Sequence, residues 1–348
     1  MDKEKNLIKP SFDTNRKILG KVLPLNTPFT VILDSSEVCN FKCNYCFRAE
    51  KDKSIWGYAK ECKLMEWNLF VHAVEQIMEF DEPAKQIALS NHGEPLCNRR
   101  VPDMVRYIKE KGITSKVSIH TNASLLDEAY VCDLADSGID KVVVSLQGLT
   151  AEKYQQVCGA TVDMSRLYDM LKLFYEKKKN TMLHIKVADV ALEQGEEALF
   201  YEKFLPIADR VFVEKIVPIW KGTEFSEQQA KVMVQNKYGT LLPKQHCCPV
   251  LFHTMVVTPT GDVYPCTQLL SPKSLGNINE ITLKQLWNGE ERKELLRKQL
   301  ELCAPDICEG CYIRDNSIFT EEDLIDAYRG EILERLGKLF LEDTLAKA

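Results

Sequence analysis

Short apolar runs alternate with amphipathic segments along the first 216 residues of the chain. The runs are five to nine residues long and mainly apolar, which is typical of buried strands. The run KVVVSL, for example, is as hydrophobic as a strand of a parallel sheet that is covered on both faces. These runs predict six strands, at Thr30–Asp34, Lys85–Ser90, Lys116–His120, Lys141–Leu146, Met182–Val190 and Arg210–Ile216.

Between these runs, apolar residues recur at intervals of three and four, which places them on one face of a helix. Met65, Leu69, Ala73 and Ile77 are one such series, and Gly138 stands where a glycine ends a helix. The pattern predicts helices at Met65–Phe80, Pro102–Lys111, Leu126–Ser137, Ser165–Lys178 and Glu196–Leu205.

Six strand–helix repeats of this kind predict an α/β fold with a parallel sheet. Six repeats favour a partial (β/α)6 TIM-like barrel over the closed eight-fold barrel. In such a barrel the functional groups lie at the carboxyl ends of the strands. We therefore expect candidate site residues directly after each strand.

From Pro218 the alternation stops, and polar, mixed residues follow. The later residues contain a hairpin-like stretch, VVTPTGDVYPC, a helical segment at Thr282–Leu300, and helical periodicity from Thr320. We expect a lead-in at residues 1–28, a barrel at 29–217, a connection with little regular structure at 218–246, a small cysteine-rich domain with a β-hairpin and helices at 247–317, and a C-terminal helix at 318–348.

Composition narrows the class of protein. The chain has 348 residues, of which 45% are hydrophobic and 28% charged, as in a soluble globular protein. A net charge of −6 argues against nucleic acid or an anionic membrane as a partner. The first residues form no apolar signal segment, and no stretch approaches the length of a membrane span. We therefore expect a cytoplasmic protein with no membrane and no nucleic-acid partner.

Thirteen cysteines are many for such a chain, and they are clustered. Three lie between positions 39 and 46 and six between 247 and 311, which favours metal or redox chemistry over disulfides. Cys39, Cys43 and Cys46 have the spacing C-x3-C-x2-C. Since four cysteines normally hold an iron–sulfur cubane, three would leave one iron free. A structural zinc site that takes a fourth cysteine from elsewhere is the alternative.

The stretch EVCNFKCNYCFR, with Tyr45 before its third cysteine and a strand before its first, resembles the signature of the radical S-adenosylmethionine (radical SAM) enzymes. Turns after the next three strands also resemble elements of that family. They are SNHGEPL, HTNASLL and SLQGL, although His92 replaces one family glycine and Ala123 another. The resemblance implies that S-adenosylmethionine contacts Tyr45, Gly93, Glu94, Pro95, Asn122, Ser145 and Gln147.

Lys186, on the fifth predicted strand, is a further candidate, as a partner of the cofactor carboxylate. The alternative for Lys186 is a surface lysine at the edge of that strand. In the family the free iron chelates S-adenosylmethionine, whose reductive cleavage yields a 5′-deoxyadenosyl radical. The cofactor carries the difficult step, while the barrel aligns the substrate and excludes water.

The second cysteine group resembles the C-terminal SPASM/twitch extension of radical SAM enzymes. On that resemblance Cys248, Cys266, Cys308 and Cys311 hold one auxiliary 4Fe–4S cluster, in addition to the cluster that binds S-adenosylmethionine. No cysteine follows Cys311, which favours the shorter twitch form. Cys247 could replace Cys248 as a ligand, and a zinc ribbon is the alternative for the whole group.

The resemblance implies a radical enzyme that abstracts hydrogen from an unactivated carbon. We expect oxidation of an alcohol in a sugar or aminocyclitol, because twitch-type members include such dehydrogenases and because the lead-in is expected to be too short for a peptide-recognition domain. An external one-electron reductant such as flavodoxin or ferredoxin would be a partner. The alternatives are epimerisation or cross-linking of a ribosomally made peptide and, outside enzymes, an iron–sulfur electron carrier or scaffold.

Overall fold

A nine-stranded sheet forms the centre of the computed structural model, which describes residues 7–11, 16–233, 235–241, 243–270 and 273–347, with the side chains of 315 and 339–347 excepted. The first six strands lie side by side in chain order and are all parallel, which confirms the predicted partial barrel. The strands are β1 (Thr30–Leu33), β2 (Gln86–Ala88), β3 (Lys116–Thr121), β4 (Lys141–Leu146), β5 (Met182–Ala188), β6 (Arg210–Glu214), β7 (Thr254–Val257), β8 (Asp262–Tyr264) and β9 (Gly276–Asn277).

Helices connect each of the first six strands to the next, and further helices follow the sheet. The ends of the five helices predicted between the barrel strands differ from the predicted ends by three residues at most. The helices are α1 (Leu19–Val22), α2 (Trp67–Ile77), α3 (Val101–Glu110), α4 (Glu128–Asp136), α5 (Ala151–Cys158), α6 (Met164–Lys177), α7 (Glu196–Phe204), α8 (Glu224–Gln229), α9 (Val250–His253), α10 (Leu283–Trp287), α11 (Glu290–Leu300), α12 (Tyr312–Asn316) and α13 (Arg329–Lys347).

The main hydrophobic core lies between the parallel strands and the helices that connect them. Alternate residues of each strand point into this core, as Ile119 of β3, Val144 of β4 and Ile185 of β5 do. The residues between them point to the opposite side, which we call the inner face of the barrel. The inner face carries polar groups, among them His120 and Lys186. The sequence pattern therefore separates a covered face from a face that can hold a ligand.

The predicted hairpin belongs to the barrel sheet, which the sequence did not indicate. β7 pairs in parallel with β1, with Thr254 beside Thr30 and Val257 beside Leu33, and β8 and β9 continue the sheet in antiparallel order. The free edge of β1 explains this addition, since β7 provides hydrogen bonds for it and buries its own side chains completely or nearly so. The second cysteine group is thereby attached directly to the barrel.

Two predictions from the chain after Pro218 were wrong in detail. The helix expected at Thr282–Leu300 is two helices, because Gly289 adopts an extended backbone between α10 and α11. The helix expected from Thr320 begins at Arg329, after two short 3-10 turns. The connection at 218–246, expected to have little regular structure, contains the six-residue helix α8. Within the described chain, no helix is both long enough and apolar enough to cross a membrane.

α5 was also absent from the prediction, and it bears directly on the site. The Thr150 side chain accepts a hydrogen bond from the amide of Lys153 at its start, and Gly159, at φ 65°, ends it. The last carbonyls of α5 accept hydrogen bonds from the first cysteine loop. The amide of Asn44 donates to the carbonyl of Val157 (2.8 Å), and that of Lys42 donates to the carbonyl of Cys158 (3.1 Å).

Trp287 gives a test of the packing between the barrel and the later helices. Its side chain is fully buried, its indole Nε1 donates to the carbonyl of Leu25 (2.8 Å), and the Arg292 guanidinium lies 3.2 Å from the ring centroid. We expect Trp287→Ala to lower the free energy of unfolding by about 3–5 kcal/mol, as for other buried tryptophans. Met78→Ala is the control, since that side chain is 50% exposed. Equal losses in a denaturant titration of the two variants would contradict the packing described.

Candidate functional site

The first cysteine loop follows β1 directly and holds Cys39, Cys43 and Cys46 together in half-buried positions. Burial raises the pKa of the Cys39 thiol to about 12, and the neighbouring Cys46 adds to this. A hydrogen bond with Cys158, burial, and the charges of Cys46 and Cys39 raise the pKa of Cys43. Burial therefore disfavours the ionisation of all three thiols, and neighbouring thiols add to this at Cys39 and Cys43. A cationic iron centre would reverse this, so the donor set fits an iron–sulfur cluster.

Arg48, which the sequence did not single out, supplies the cation next to this loop. Its guanidinium is buried and donates to the carbonyl of Glu37, to the carbonyl of His92 (3.3 Å) and to the Cys62 thiol (3.3 Å). Its charge opposes the rise in the pKa of Cys39 and Cys46. No pattern signal could have identified it, because an arginine after a metal loop is normally expected to face solvent.

The GEP turn lies against the chain that leads into the cysteine loop. A Cβ atom on Gly93 would lie 2.2 Å from the carbonyl oxygen of Ser36 and 2.6 Å from that of Val38. The amide of Glu94 donates to the same Val38 carbonyl (2.8 Å). Pro95 then begins a short 3-10 turn. Only glycine permits this close approach, which explains why the turn retains its second glycine although His92 replaces the first.

The Glu94 carboxylate joins the turns after β2 and β3. It is buried and accepts hydrogen bonds from Thr121 Oγ1 (2.5 Å), the amide of Asn122 (2.7 Å) and the amide of Leu96 (3.1 Å). Burial raises its pKa to about 7 against these bonds. Glu94 therefore holds the two turns in place with its side chain, and its backbone remains the part that could face a ligand.

Asn122 connects the turn after β3 to the cysteine loop. Its Nδ2 donates to Asn40 Oδ1 (2.9 Å), between the first two cysteines, and its Oδ1 accepts from the amide of Ser124 (2.9 Å). Ala123 has φ 61°, a left-handed conformation that favours glycine. The position thus keeps the backbone of the family glycine without its residue type.

Tyr45 connects the loop to the turn after β4. Its hydroxyl donates to Gln147 Oε1, and Gln147 Nε2 donates to the carbonyl of Ser145 (3.1 Å). Each turn that was assigned to the cofactor is therefore hydrogen-bonded to the cysteine loop or to its lead-in. The structure brings Tyr45, Gly93, Glu94, Pro95, Asn122, Ser145 and Gln147 around the three cysteines.

Lys186 lies beside Ser145 in the sheet and points to the inner face, so it is not a surface lysine at an edge. Its Nζ is 2.5 Å from Glu214 Oε2, and Lys237 Nζ is 3.5 Å from Glu214 Oε1. Although burial alone would raise it, the pKa of Glu214 is lowered to about 2 by the two lysines. His120 lies on the same face, and desolvation of its ring together with the charges of Lys186 and Lys237 lowers its pKa well below the usual value.

Four cysteines of the second group line one cavity, together with apolar side chains such as Leu251 and Ile307. Burial and the neighbouring Cys311 and Cys266 raise the pKa of the Cys248 thiol. Burial raises the pKa of Cys308 to about 12. These thiols too would ionise only around a cation, which fits a metal cluster. The cavity cysteines are Cys248, Cys266, Cys308 and Cys311.

The remaining cysteines of this group face elsewhere. The Cys247 thiol donates to the carbonyl of Gln299 (3.0 Å), and Cys303 is exposed, with its thiol 3.6 Å from the carbonyl of Glu301. Of the adjacent pair, Cys248 is thus the one that lines the cavity. Within the described residues, no three of the histidine, cysteine and acidic side chains converge closely enough to hold a single metal ion.

His92 connects the two cysteine groups. Its Nε2 donates to the carbonyl of Thr267 (2.9 Å), directly after Cys266, and its backbone amide donates to Asp34 Oδ2 (3.3 Å) at the end of β1. The rings of Phe47 and Tyr58 pack against His92 at centroid distances of 5.9 and 5.0 Å. The histidine that departs from the family pattern thus lies between the two groups.

Two family descriptions match the chain. Residues 34–196 match the radical SAM superfamily, and residues 247–312 match the iron–sulfur cluster-binding SPASM domain. A Pyrococcus furiosus protein described as a tungsten-containing aldehyde ferredoxin oxidoreductase cofactor-modifying protein is 24% identical over 86% of this chain and 91% of its own. The AdoMet-dependent heme synthase of Methanosarcina barkeri is 24% identical over 83% and 92%.

Solved structures show the same fold. BtrN in complex with AdoMet and 2-DOIA has a TM-score of 0.50 and 18% identity, over 85% of this chain and 91% of that one. Streptococcus suis SuiB bound to its precursor peptide SuiA has a TM-score of 0.56 and 18% identity, over 89% and 77%. The anSMEcpe structure with bound AdoMet has a TM-score of 0.54 and 16% identity, over 91% and 99%.

Gly93→Ala tests the close approach of the GEP turn. The added methyl group must displace two carbonyl oxygens, and overpacking of this kind costs about 1–3 kcal/mol. We expect S-adenosylmethionine, in equilibrium dialysis with the reconstituted protein, to bind about tenfold more weakly or worse, since about 1.4 kcal/mol is tenfold. Gly330→Ala is the control, because a Cβ there meets nothing within 4 Å. Wild-type affinity in Gly93→Ala would show that the turn does not depend on this contact.

Proposed function

The chain belongs to the radical SAM superfamily and carries a SPASM domain, so that its cofactors are 4Fe–4S clusters and S-adenosylmethionine, and we propose that it oxidises an alcohol of a small polyhydroxylated molecule. The substrate class proposed is a sugar or an aminocyclitol. Oxidation of an alcohol to a carbonyl removes two electrons. One of these electrons would leave with the carbon-bound hydrogen atom, and the other would pass to a cluster held by the second cysteine group.

The first group would hold the cluster that binds S-adenosylmethionine, through Cys39, Cys43 and Cys46. When bound, the cluster and S-adenosylmethionine supply a 5′-deoxyadenosyl radical. The residues around it have a positioning role. Glu94 connects the turns after β2 and β3 through hydrogen bonds of its side chain. The hydrogen bond between Tyr45 and Gln147 connects the turn after β4 to the cysteine loop. These bonds pre-organise the turns before the cofactor binds.

The contact between His92 and Thr267 is the observation that carries the oxidative proposal. It joins the turn that precedes Glu94 to the residue after Cys266, one of the four cavity cysteines. Aromatic rings pack continuously around this contact. The ring centroids of Tyr58 and Tyr264 are 4.1 Å apart, and those of Phe47 and Trp220 are 5.0 Å apart. An auxiliary cluster in the cavity would therefore lie across a short, packed interface from the radical site, where it could accept an electron.

The inner face of the barrel supports a hydroxylated substrate. Ser145, Lys186, Glu214 and His120 place hydroxyl, ammonium, carboxylate and imidazole groups on that face. Such groups bind hydroxyl-rich molecules through hydrogen bonds at fixed positions. In the proposed reaction the bound cofactor would take up the carbon-bound hydrogen atom. A base or water on the inner face would accept the hydroxyl proton, and the cavity cysteines would hold the cluster that takes up the remaining electron.

The substrate class can be decided by isotope transfer. Purified, anaerobically reconstituted enzyme is given a one-electron donor such as flavodoxin or ferredoxin, S-adenosylmethionine, and cyclitols or sugars deuterated at the alcohol carbons. We expect deuterium in 5′-deoxyadenosine and an equal amount of carbonyl product. Deuterium from labelled peptides alone would instead indicate peptide modification. An absence of 5′-deoxyadenosine under all conditions would leave only an electron carrier or scaffold.

Removal of two cavity cysteines tests the second electron transfer. We expect Cys248→Ala with Cys266→Ala to lower bound iron from about eight to about four atoms per chain, because each cubane holds four. The variant should still form 5′-deoxyadenosine but no carbonyl product. Cys303→Ala is the control, since that thiol lies outside the cavity. Unchanged iron content in the double variant would contradict the proposal that the cavity cysteines hold an auxiliary cluster.

A further inference from the structure

Gln299 is a buried amide in the wall of the cysteine cavity. It lies in the last turn of α11 and is 1% exposed. It lines the same cavity as Cys248, Cys266, Cys308 and Cys311. Apart from Gln299, Gln268 and Arg314, the cavity wall consists of the cysteines and apolar side chains. A polar side chain in such surroundings needs a hydrogen-bond partner.

Two contacts fix the orientation of this residue. The amide of Cys248 donates to Gln299 Oε1 (3.2 Å), and the Cys247 thiol donates to the Gln299 backbone carbonyl (3.0 Å). Because Oε1 of the side-chain amide accepts from the Cys248 amide, Nε2 must point in the opposite direction. Nε2 thus carries two protons and faces away from the Cys248 backbone.

Nε2 of Gln299 is buried and has no hydrogen-bond partner among the residues that the structure describes. A buried donor without a partner is unfavourable, so the site calls for an acceptor that completes it. The cavity that Gln299 lines is walled by four cysteines and mainly apolar side chains. The acceptor that the site needs is therefore an anionic sulfur in this cavity.

A second glutamine provides an independent contact of the same kind. Nε2 of Gln268 donates to the carbonyl of Ile219 (3.1 Å) and lies 3.7 Å from the sulfur of Cys311. This contact shows that a side-chain amide already reaches one of the four cavity sulfurs. Gln299 and Gln268 thus place two side-chain amide donors in the wall of the same cavity.

We infer that Gln299 donates a hydrogen bond to the auxiliary cluster and raises the reduction potential of that cluster. The inference rests on the proposed placement of a cluster among the four cavity cysteines. A donor to cluster sulfur stabilises the reduced state, which carries one more negative charge. Gln299 is thus a positioning and tuning residue that makes the auxiliary cluster a better electron acceptor. In this role Gln299 does not need to contact the substrate.

The test is a redox titration of the full-length, reconstituted protein, followed by electron paramagnetic resonance. Gln299→Leu keeps the approximate volume and removes the donor. We expect the potential of the second cluster to shift to a more negative value, while that of the cluster at the first cysteine loop stays unchanged. Gln76→Leu is the matched control, since that buried amide bonds the carbonyl of Ile278 (2.8 Å) and the amide of Leu283 (2.8 Å), away from the cysteines. It should shift neither potential.

An unchanged potential for the second cluster in Gln299→Leu would overturn the inference. If Gln299→Leu fails to assemble the cluster, pulsed electron paramagnetic resonance provides the test instead. The sample is then the Gln268→Leu variant, which keeps Gln299, labelled with ¹⁵N in its glutamine side chains. A ¹⁵N coupling to the reduced second cluster would support the inference, and its absence would overturn it. A wild-type protein with iron for one cluster alone would instead refute the proposed placement, which iron analysis distinguishes from a failure of Gln299.

Discussion

The structure of both sites depends on one constraint. Each site gathers cysteine thiols at positions where burial disfavours their ionisation. Cys39, Cys43 and Cys46 form one such group, and Cys248 and Cys308 belong to the other. An isolated buried thiolate is unfavourable, whereas a thiolate bound to iron is neutralised by its metal. The surrounding contacts are organised accordingly. Arg48 is a buried cation beside the first group, and Gln299 is a buried donor beside the second.

The two groups are connected through the strand ends rather than through a separate interface. Glu94 fastens the turn after β2 to the turn after β3, and His92, two residues earlier, reaches the residue after Cys266. The parallel pairing of β7 with β1 brings the second group into the same sheet. A displacement of the turn after β2 would thus be felt at both groups, because one short segment contacts both.

Much of the barrel could be predicted because its signals are local. The apolar runs of β1 to β6 and the three-cysteine spacing can be read within a few residues. β7 was placed in a hairpin but not beside β1, because that pairing joins positions more than 200 residues apart and leaves no local pattern. The sequence grouped Cys248 with Cys266, Cys308 and Cys311, while the different direction of the Cys247 thiol depends on the packing of α11. Arg48 and Gln299 matter through burial, which neighbouring residues do not reveal.

The central claim is that one chain holds two iron–sulfur clusters, at the first cysteine loop and in the cavity of the second group. Anomalous scattering at the iron edge tests it most directly, on anaerobic crystals of the reconstituted protein with S-adenosylmethionine. The account predicts two separate iron peaks, one among Cys39, Cys43 and Cys46 and one among Cys248, Cys266, Cys308 and Cys311. A single iron peak, or zinc in place of iron at either group, would contradict it.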